Sequence, residues 1–160
     1  MITQKDLAKA FDRNVTIVKS QAKDLTHEDS LIQPPFRGNC LNWVLGHLVE
    51  NHDDILETLG EPRLFDNQLD RYKRESEPMR REDEGTIRLE DLLAWLERGQ
   101  VQISALLDQA DESTLARVLT FGERKVTVAE RVFFLYFHET YHVGQTELFR
   151  QLTGKNDKII

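Results

Sequence analysis

A chain of 160 residues with a formal charge of −7, 39% hydrophobic and 31% charged, has the make-up of an ordinary globular protein, not of a disordered chain or a disulfide scaffold. The negative balance opposes a phosphate backbone, so nucleic acid is not an expected partner. The opening stretch MITQKDLAKAFDRNV has no apolar leader core, no run of roughly 18 apolar residues occurs, and Cys40 is the sole cysteine, so a cytoplasmic protein without membrane span or internal disulfide is expected.

At this length one domain spanning residues 1–160 is expected. Leu7, Phe11, Val15, Val18, Ala22 and Leu25 recur at helical spacing and define a first helix, which must stop before Pro34 and Pro35. Gly38-Asn39 signals the next start, with Asn39 as the expected N-cap. The seam behind it, Leu41, Val44, Leu45, Leu48, Ile55, Leu56 and Leu59, predicts a second helix that ends at Gly60. Pro62 to Gly85 is poor in apolar residues and rich in mixed charge, Arg71-Tyr-Lys-Arg-Glu-Ser-Glu and Arg80-Arg-Glu-Asp-Glu. It reads as a long crossover with a short helix around Leu64 to Tyr72.

A third helix is carried by Leu89, Leu92, Leu93, Leu96, Ile103, Leu106 and Leu107, with Thr86 as its expected cap. Asp111 to Lys125 reads as a plain connector. Thr127 and Glu130 form a capping-box pattern ahead of a fourth helix that closes at Gly154. No alternating strand stands out. The expected fold is all-α, a four-helix bundle with a long crossover connection between helices 2 and 3.

Chemistry concentrates in His138-Glu-Thr-Tyr-His142 on the fourth helix. Residues i and i+4 share a face about 6 Å apart, which lets two imidazoles grip one ion. Both fall on the expected core seam Leu135, His138, His142, Gln145, Phe149, Leu152, and buried imidazoles need partners. The same five residues match H-E-x-x-H, in which Glu139 would be the general base of a metalloprotease. That reading lacks a third ligand downstream, because only 18 residues follow His142 and the helix itself continues uninterrupted past it. Helix 2 offers His47 or His52, which point about 140° apart and cannot both serve one ion. Periodicity selects His52, over which the apolar seam passes.

Asn42-Trp43-x-x-Gly46-His47-Leu48 followed by His138-Glu-x-x-His142-x-Gly144-Gln145 resembles the DinB/YfiT-like superfamily along the whole chain. The resemblance implies a four-helix bundle whose metal ligands are His47, His138 and His142, choosing His47 where periodicity chooses His52. It also implies one divalent ion, zinc or nickel by ligand type. A low-molecular-weight thiol cosubstrate, a small electrophilic substrate, a thiol S-transferase or isomerase activity and a homodimer complete the expectation. The rival readings are a non-enzymatic bundle with a structural or vestigial metal site, and the H-E-x-x-H protease.

Gln145 is the candidate cofactor-side group, placed to hydrogen-bond a metal-bound water or a ligand histidine. Glu139, one residue off the histidine face, is expected to be solvated or ion-paired. Cys40 is expected to be a small buried thiol. His27 is expected to be a solvated residue at the end of helix 1. Phe133, Phe134, Tyr136, Phe137 and Tyr141 are too wide a run for one seam, so part should cover helix 1 or 3 and part, Phe133, Phe137 and Tyr141, should form a subunit interface.

Overall fold

The computed structural model describes residues 3–159. Four long helices carry the fold: α1 (Gln4–Ala22), α3 (Leu41–Leu59), α4 (Leu89–Gln109) and α6 (Val128–Leu152). The short α2 (His27–Ser30) and α5 (Glu112–Ala116) sit in connections, and a two-stranded hairpin, β1 (Val118–Phe121) and β2 (Arg124–Thr127), leads into α6. Each of α1 and α3 packs against both α4 and α6, so the first two long helices stand on opposite corners of the bundle. α4 runs parallel to its neighbour α3, with Asn42 bonding the Ile87 carbonyl at one end and His52 lying against Gly99 further along, so the chain must travel back along the bundle between them, and the long crossover, Gly60 to Arg88, makes that return. The all-α bundle expected from periodicity is the fold observed.

The helix ends follow local chemistry. Thr127 accepts the Glu130 N–H while the Glu130 carboxylate accepts the Thr127 N–H, the expected capping box, and the same reciprocal pattern opens α1 at Thr3 and Asp6. Gly60 (φ 105°) and Gly154 (φ 85°) occupy the left-handed positions that close α3 and α6. Other boundaries differ from expectation. The first helix ends at Ala22, and α2 follows under its own Thr26–Asp29 capping box. Cys40, not Asn39, is the N-cap of α3 and makes no side-chain cap bond. Thr86 bonds Asp83 within its loop, and α4 starts after Arg88. The Leu89 N–H is instead satisfied by His27 Nδ1 at 3.2 Å, so His27 is a buried cap for a distant helix and not a solvated residue.

Two further corrections concern the connections. The expected short helix of the crossover is a 3₁₀ turn, Asp66–Tyr72. Asp111 to Lys125 is no plain connector: Val118 pairs with Thr127 and Phe121 with Arg124 around a two-residue loop in which Gly122 takes φ 60°, the handed turn that suits the twist of paired strands. Val118 and Phe121 stay exposed, so the hairpin has no buried alternating face for periodicity to reveal.

The core is two apolar clusters separated by a polar layer. One gathers Val15, Val44, Leu48, Leu92, Leu96 and Val143; the other gathers Phe11, Ile55, Ile103, Val128, Val132 and Leu135. Between them every long helix presents a buried polar group: Asn14, Asn51 and His52, Gln100, and Glu139. Two glycines admit neighbours at close range. A Cβ on Gly46 would meet the Tyr72 ring at 2.1 Å, and one on Gly99 would lie 2.7 Å from His52 Nδ1. Gly144 faces open space.

Gly46→Ala and Gly99→Ala should each lower stability by roughly 1–3 kcal/mol through overpacking. Gly144→Ala should raise it by up to about 1 kcal/mol through helix propensity. Urea unfolding of the three variants checks the order; equal shifts for all would mean the glycine contacts are loose in solution.

Candidate metal centre

Three histidines meet in the upper half of the bundle. Trp43 and His47, one turn apart on α3, stack ring on ring with centroids 4.8 Å apart. His138 and His142, one turn apart on α6, face them, and the ligand nitrogens of the three imidazoles all lie within 4.8 Å of one another. His47 Nε2 is 3.3 Å from His138 Nε2, which is 3.2 Å from His142 Nε2. The helix 2 ambiguity resolves in space: His47 joins the α6 pair, and His52 points the other way, into the core.

Hydrogen bonds on the outer nitrogens fix the tautomers. His47 Nδ1 faces the Tyr72 carbonyl at 2.9 Å, an acceptor only, so the proton sits on Nδ1. Asn51 donates its amide N–H groups to the Leu135 carbonyl and to Glu139, which turns its oxygen toward His138 Nδ1 at 3.1 Å and again places the proton there. The Gln145 side-chain oxygen accepts from His142 Nδ1 at 2.8 Å. Every Nε2 is thereby left with a bare lone pair, and no hydrogen bond can join them. Burial keeps the three imidazoles neutral: it holds His47 and His142 below the usual histidine range and pushes His138 down to about 4, the neighbouring His142 and His47 adding to the effect. Three converging neutral imidazole lone pairs in a shared space fit a divalent cation and leave further coordination positions open.

The fourth-helix seam differs from expectation in an instructive way. Its buried residues are Val128, Val132, Leu135, Glu139, Val143, Thr146, Phe149 and Arg150, so Glu139 lies at the centre of the core face and the two histidines lie at its edge. Glu139 is fully buried and hydrogen-bonded, where the sequence leads one to expect a solvated or ion-paired residue. It accepts from His52 Nε2 at 2.9 Å, from Asn14 at 3.2 Å and from Asn51 at 3.4 Å. These bonds commit its carboxylate to the core side of Asn51, away from the Nε2 cluster that a protease base would have to face. The His52–Glu139 pair was not visible in either helix read alone. Cys40 is buried, and burial raises its thiol pKa, as expected of a packing cysteine.

Two hollows open beside the cluster and share Trp43 and His142 as walls. The larger, about 580 Å³, is bordered by Glu50, Asp54, Arg74, Arg131 and Phe134. The smaller, about 230 Å³, is bordered by Phe36, Tyr141, Gln145, Leu148 and Phe149. Among the described residues no helix is long and apolar enough to cross a membrane.

Fold and site together describe a four-helix bundle with a long crossover and a three-histidine cluster that can hold a metal ion. The sequence profile of the DinB superfamily matches residues 10–146, and the chain belongs to that superfamily. Among solved structures it is similar to a conserved protein from Enterococcus faecalis, with a TM-score of 0.75 and 19% identity over 97% of this chain and 99% of that one. It is also similar to YfiT from Bacillus subtilis, described as "a probable metal-dependent hydrolase with an unusual four-helix bundle topology", with a TM-score of 0.68 and 16% identity over 94% of this chain and 87% of that one. A search of curated protein sequences gives no match.

Glu139→Leu removes the acceptor shared by His52, Asn14 and Asn51 and should cost roughly 3 kcal/mol or more, because buried polar groups lose their partner together. Urea denaturation measures it. A loss under about 1 kcal/mol would mean that the three donors find other acceptors.

Proposed function

We propose that His47, His138 and His142 bind one divalent ion, zinc or nickel, and that the protein is a metal-dependent thiol S-transferase or isomerase acting on small electrophilic molecules. The observation that carries the metal assignment is the convergence of three Nε2 lone pairs whose Nδ1 protons are all engaged elsewhere. Bound there, the ion would supply a Lewis-acid centre with open positions, able to lower the pKa of a thiol.

The chain's own residues supply the rest. Tyr72, Asn51 and Gln145 aim the imidazoles, and such supporting bonds tune a ligand as well as orient it. Trp43, lying over His47, covers the cluster on one side. The two hollows that meet at Trp43 and His142 suit a reaction of two small molecules, one charged and one apolar. In the transfer a sulfur–carbon bond forms, the carbon–leaving-group bond breaks with its electron pair going to the leaving group, and the thiol proton passes to solvent. A hydrolase, the description given to YfiT, needs only one organic substrate, and the second, aromatic hollow favours the two-substrate reading.

Purified protein reconstituted with zinc or nickel should carry close to one ion per chain by elemental analysis. His47→Ala should lose it and His52→Ala should keep it, while Asn51→Leu should weaken affinity about 10–100-fold. The reverse pattern for the two histidines, or no metal with either ion, refutes the site. Turnover of a thiol with an aryl halide, abolished by chelator and restored by metal, separates an enzyme from a bundle with a structural ion.

The protein is also proposed to be a homodimer joined through α6. Phe133, Phe137 and Tyr141 are 51%, 64% and 61% exposed, while Tyr136 turns inward onto Phe11, so the helix keeps an aromatic face that the bundle does not cover. Light scattering should give twice the 18.7 kDa chain mass, and Phe137→Glu should return it toward one. A monomer in the wild type removes the dimer.

A further inference from the structure

The larger hollow does not end at the histidines. Arg74, Arg131 and Phe134 border it and also border an adjoining hollow of about 500 Å³ that runs on to Phe121 and Arg124 of the hairpin. The two form one groove, with imidazoles at its inner end and three arginines along its outer part.

Charges in the groove are unevenly committed. On the acidic side, Glu50 and Asp54 both accept from Arg63, at 3.1 and 2.7 Å, and the Glu130 carboxylate is held by the Thr127 N–H in the cap of α6. On the basic side, Arg131 donates no side-chain hydrogen bond among the described residues, and its nearest carboxylate, Asp54, stands 3.6 Å away. Its guanidinium is nevertheless fixed in place, lying over the faces of Phe121 and Phe134 at 5.2 and 5.5 Å from their centroids. Arg74 has only a 3.9 Å approach to the exposed Glu75. A guanidinium lying over two rings, with no donor engaged in a hydrogen bond among the described residues and only Asp54 within ion-pair reach, is pre-organised for a planar anion, because little rotamer freedom remains to be lost on binding. The surplus is local, in a chain whose overall charge is −7.

We infer that this groove recognises a carboxylate-bearing thiol, with Arg131, supported by Arg74 and Arg124, receiving the carboxylate while the sulfur end lies at the histidine cluster. Arg131 is thus a specificity-determining residue. The inference rests on the thiol-dependent, metal-binding reading above and adds the chemical class of the cosubstrate.

The test uses protein loaded with cobalt(II), whose visible bands report ligand exchange at the ion, titrated with ω-mercaptoalkanoates of increasing chain length and with mercaptoalkanols of equal length. The wild type should bind the acids at least about tenfold more tightly than the alcohols at its best chain length. Arg131→Met should erase that preference without changing alcohol affinity, and Arg131→Lys should restore only part of it. Should Arg131→Met fail to fold, Arg131→Gln and the double variant Arg74→Gln/Arg124→Gln serve instead. Equal affinity for acids and alcohols in the wild type, or an undiminished preference in the Arg131 variants, overturns the inference. If no cobalt bands form at all, the metal reading fails by itself. Titration calorimetry of glutarate into metal-free protein then decides: heat that Arg131→Gln abolishes supports the arginine assignment, and no heat in the wild type overturns it.

Discussion

The contact on which the rest of the structure depends is the buried Glu139 carboxylate receiving His52, Asn14 and Asn51. It links α6 to α3 and α1 at the level where the apolar core is interrupted, and Gly99 of α4 leaves the space that the His52 ring fills. An apolar core tolerates sliding and rotation of its helices, since many packings bury similar area. A carboxylate with three specific donors does not, because any shift leaves a buried polar group without a partner. The polar layer costs stability relative to a filled apolar core, and what it supplies is a fixed rotation and height of α6 against α3.

That register is what makes the histidine cluster possible. Asn51 stands between the layer and the site: one end of its amide donates to Glu139 and the Leu135 carbonyl, and the other accepts from His138. The orientation of the His138 ring is therefore set by the same bonds that fix the helices. His47 is held from the opposite direction. The Tyr72 ring lies over Gly46, its hydroxyl donates to Asn42 and accepts from the Ile87 N–H, and its carbonyl accepts a hydrogen bond from His47 Nδ1. The long crossover, required by the parallel course of α3 and α4, thus also carries a positioning group for the site.

Sequence patterns revealed the helices because each has an apolar stripe and marked ends: Gly60, Gly154 and the Thr127–Glu130 box all stand where expected. They failed where the signal lies outside the segment itself. α4 is capped by His27, some 60 residues upstream, so no local cap was there to find and Thr86 was a decoy. Val118 and Phe121 of the hairpin face solvent and Leu119 and Val126 are only half-buried, so it lacks a fully buried alternating face, although Phe121-Gly122-Glu123-Arg124 holds a turn signal. In the site, periodicity selects His52 as the third histidine of the cluster, yet His52 points into the core onto Glu139, and it is His47, the choice of the family motif, that lies beside the α6 pair. The conflict between them dissolved because both histidines are buried, on different faces of α3 and for different purposes. The burial of Glu139 is not legible because the histidine spacing draws the seam through His138 and His142, which lie one step off it.

The arrangement of acids around the cluster bears on what kind of ligand the site favours. Glu50 and Asp54 border the same hollow as the three imidazoles, and burial together with the nearby Asp54 raises the Glu50 pKa. Left unpaired, either carboxylate could swing inward and turn a neutral donor set into an anionic one. Arg63 prevents this by binding both, and Glu50 meets His47 only on its Nδ1 side, 3.9 Å away. A divalent ion held by neutral imidazoles alone keeps its full charge, so its open positions favour an anionic ligand over a neutral one. In the proposed function a thiolate would meet that requirement at the inner end of the groove, and the carboxylate inferred above would meet the arginines at the outer end. One molecule with negative charge at both ends would match the electrostatics of the whole groove, inside a chain whose formal net charge is −7.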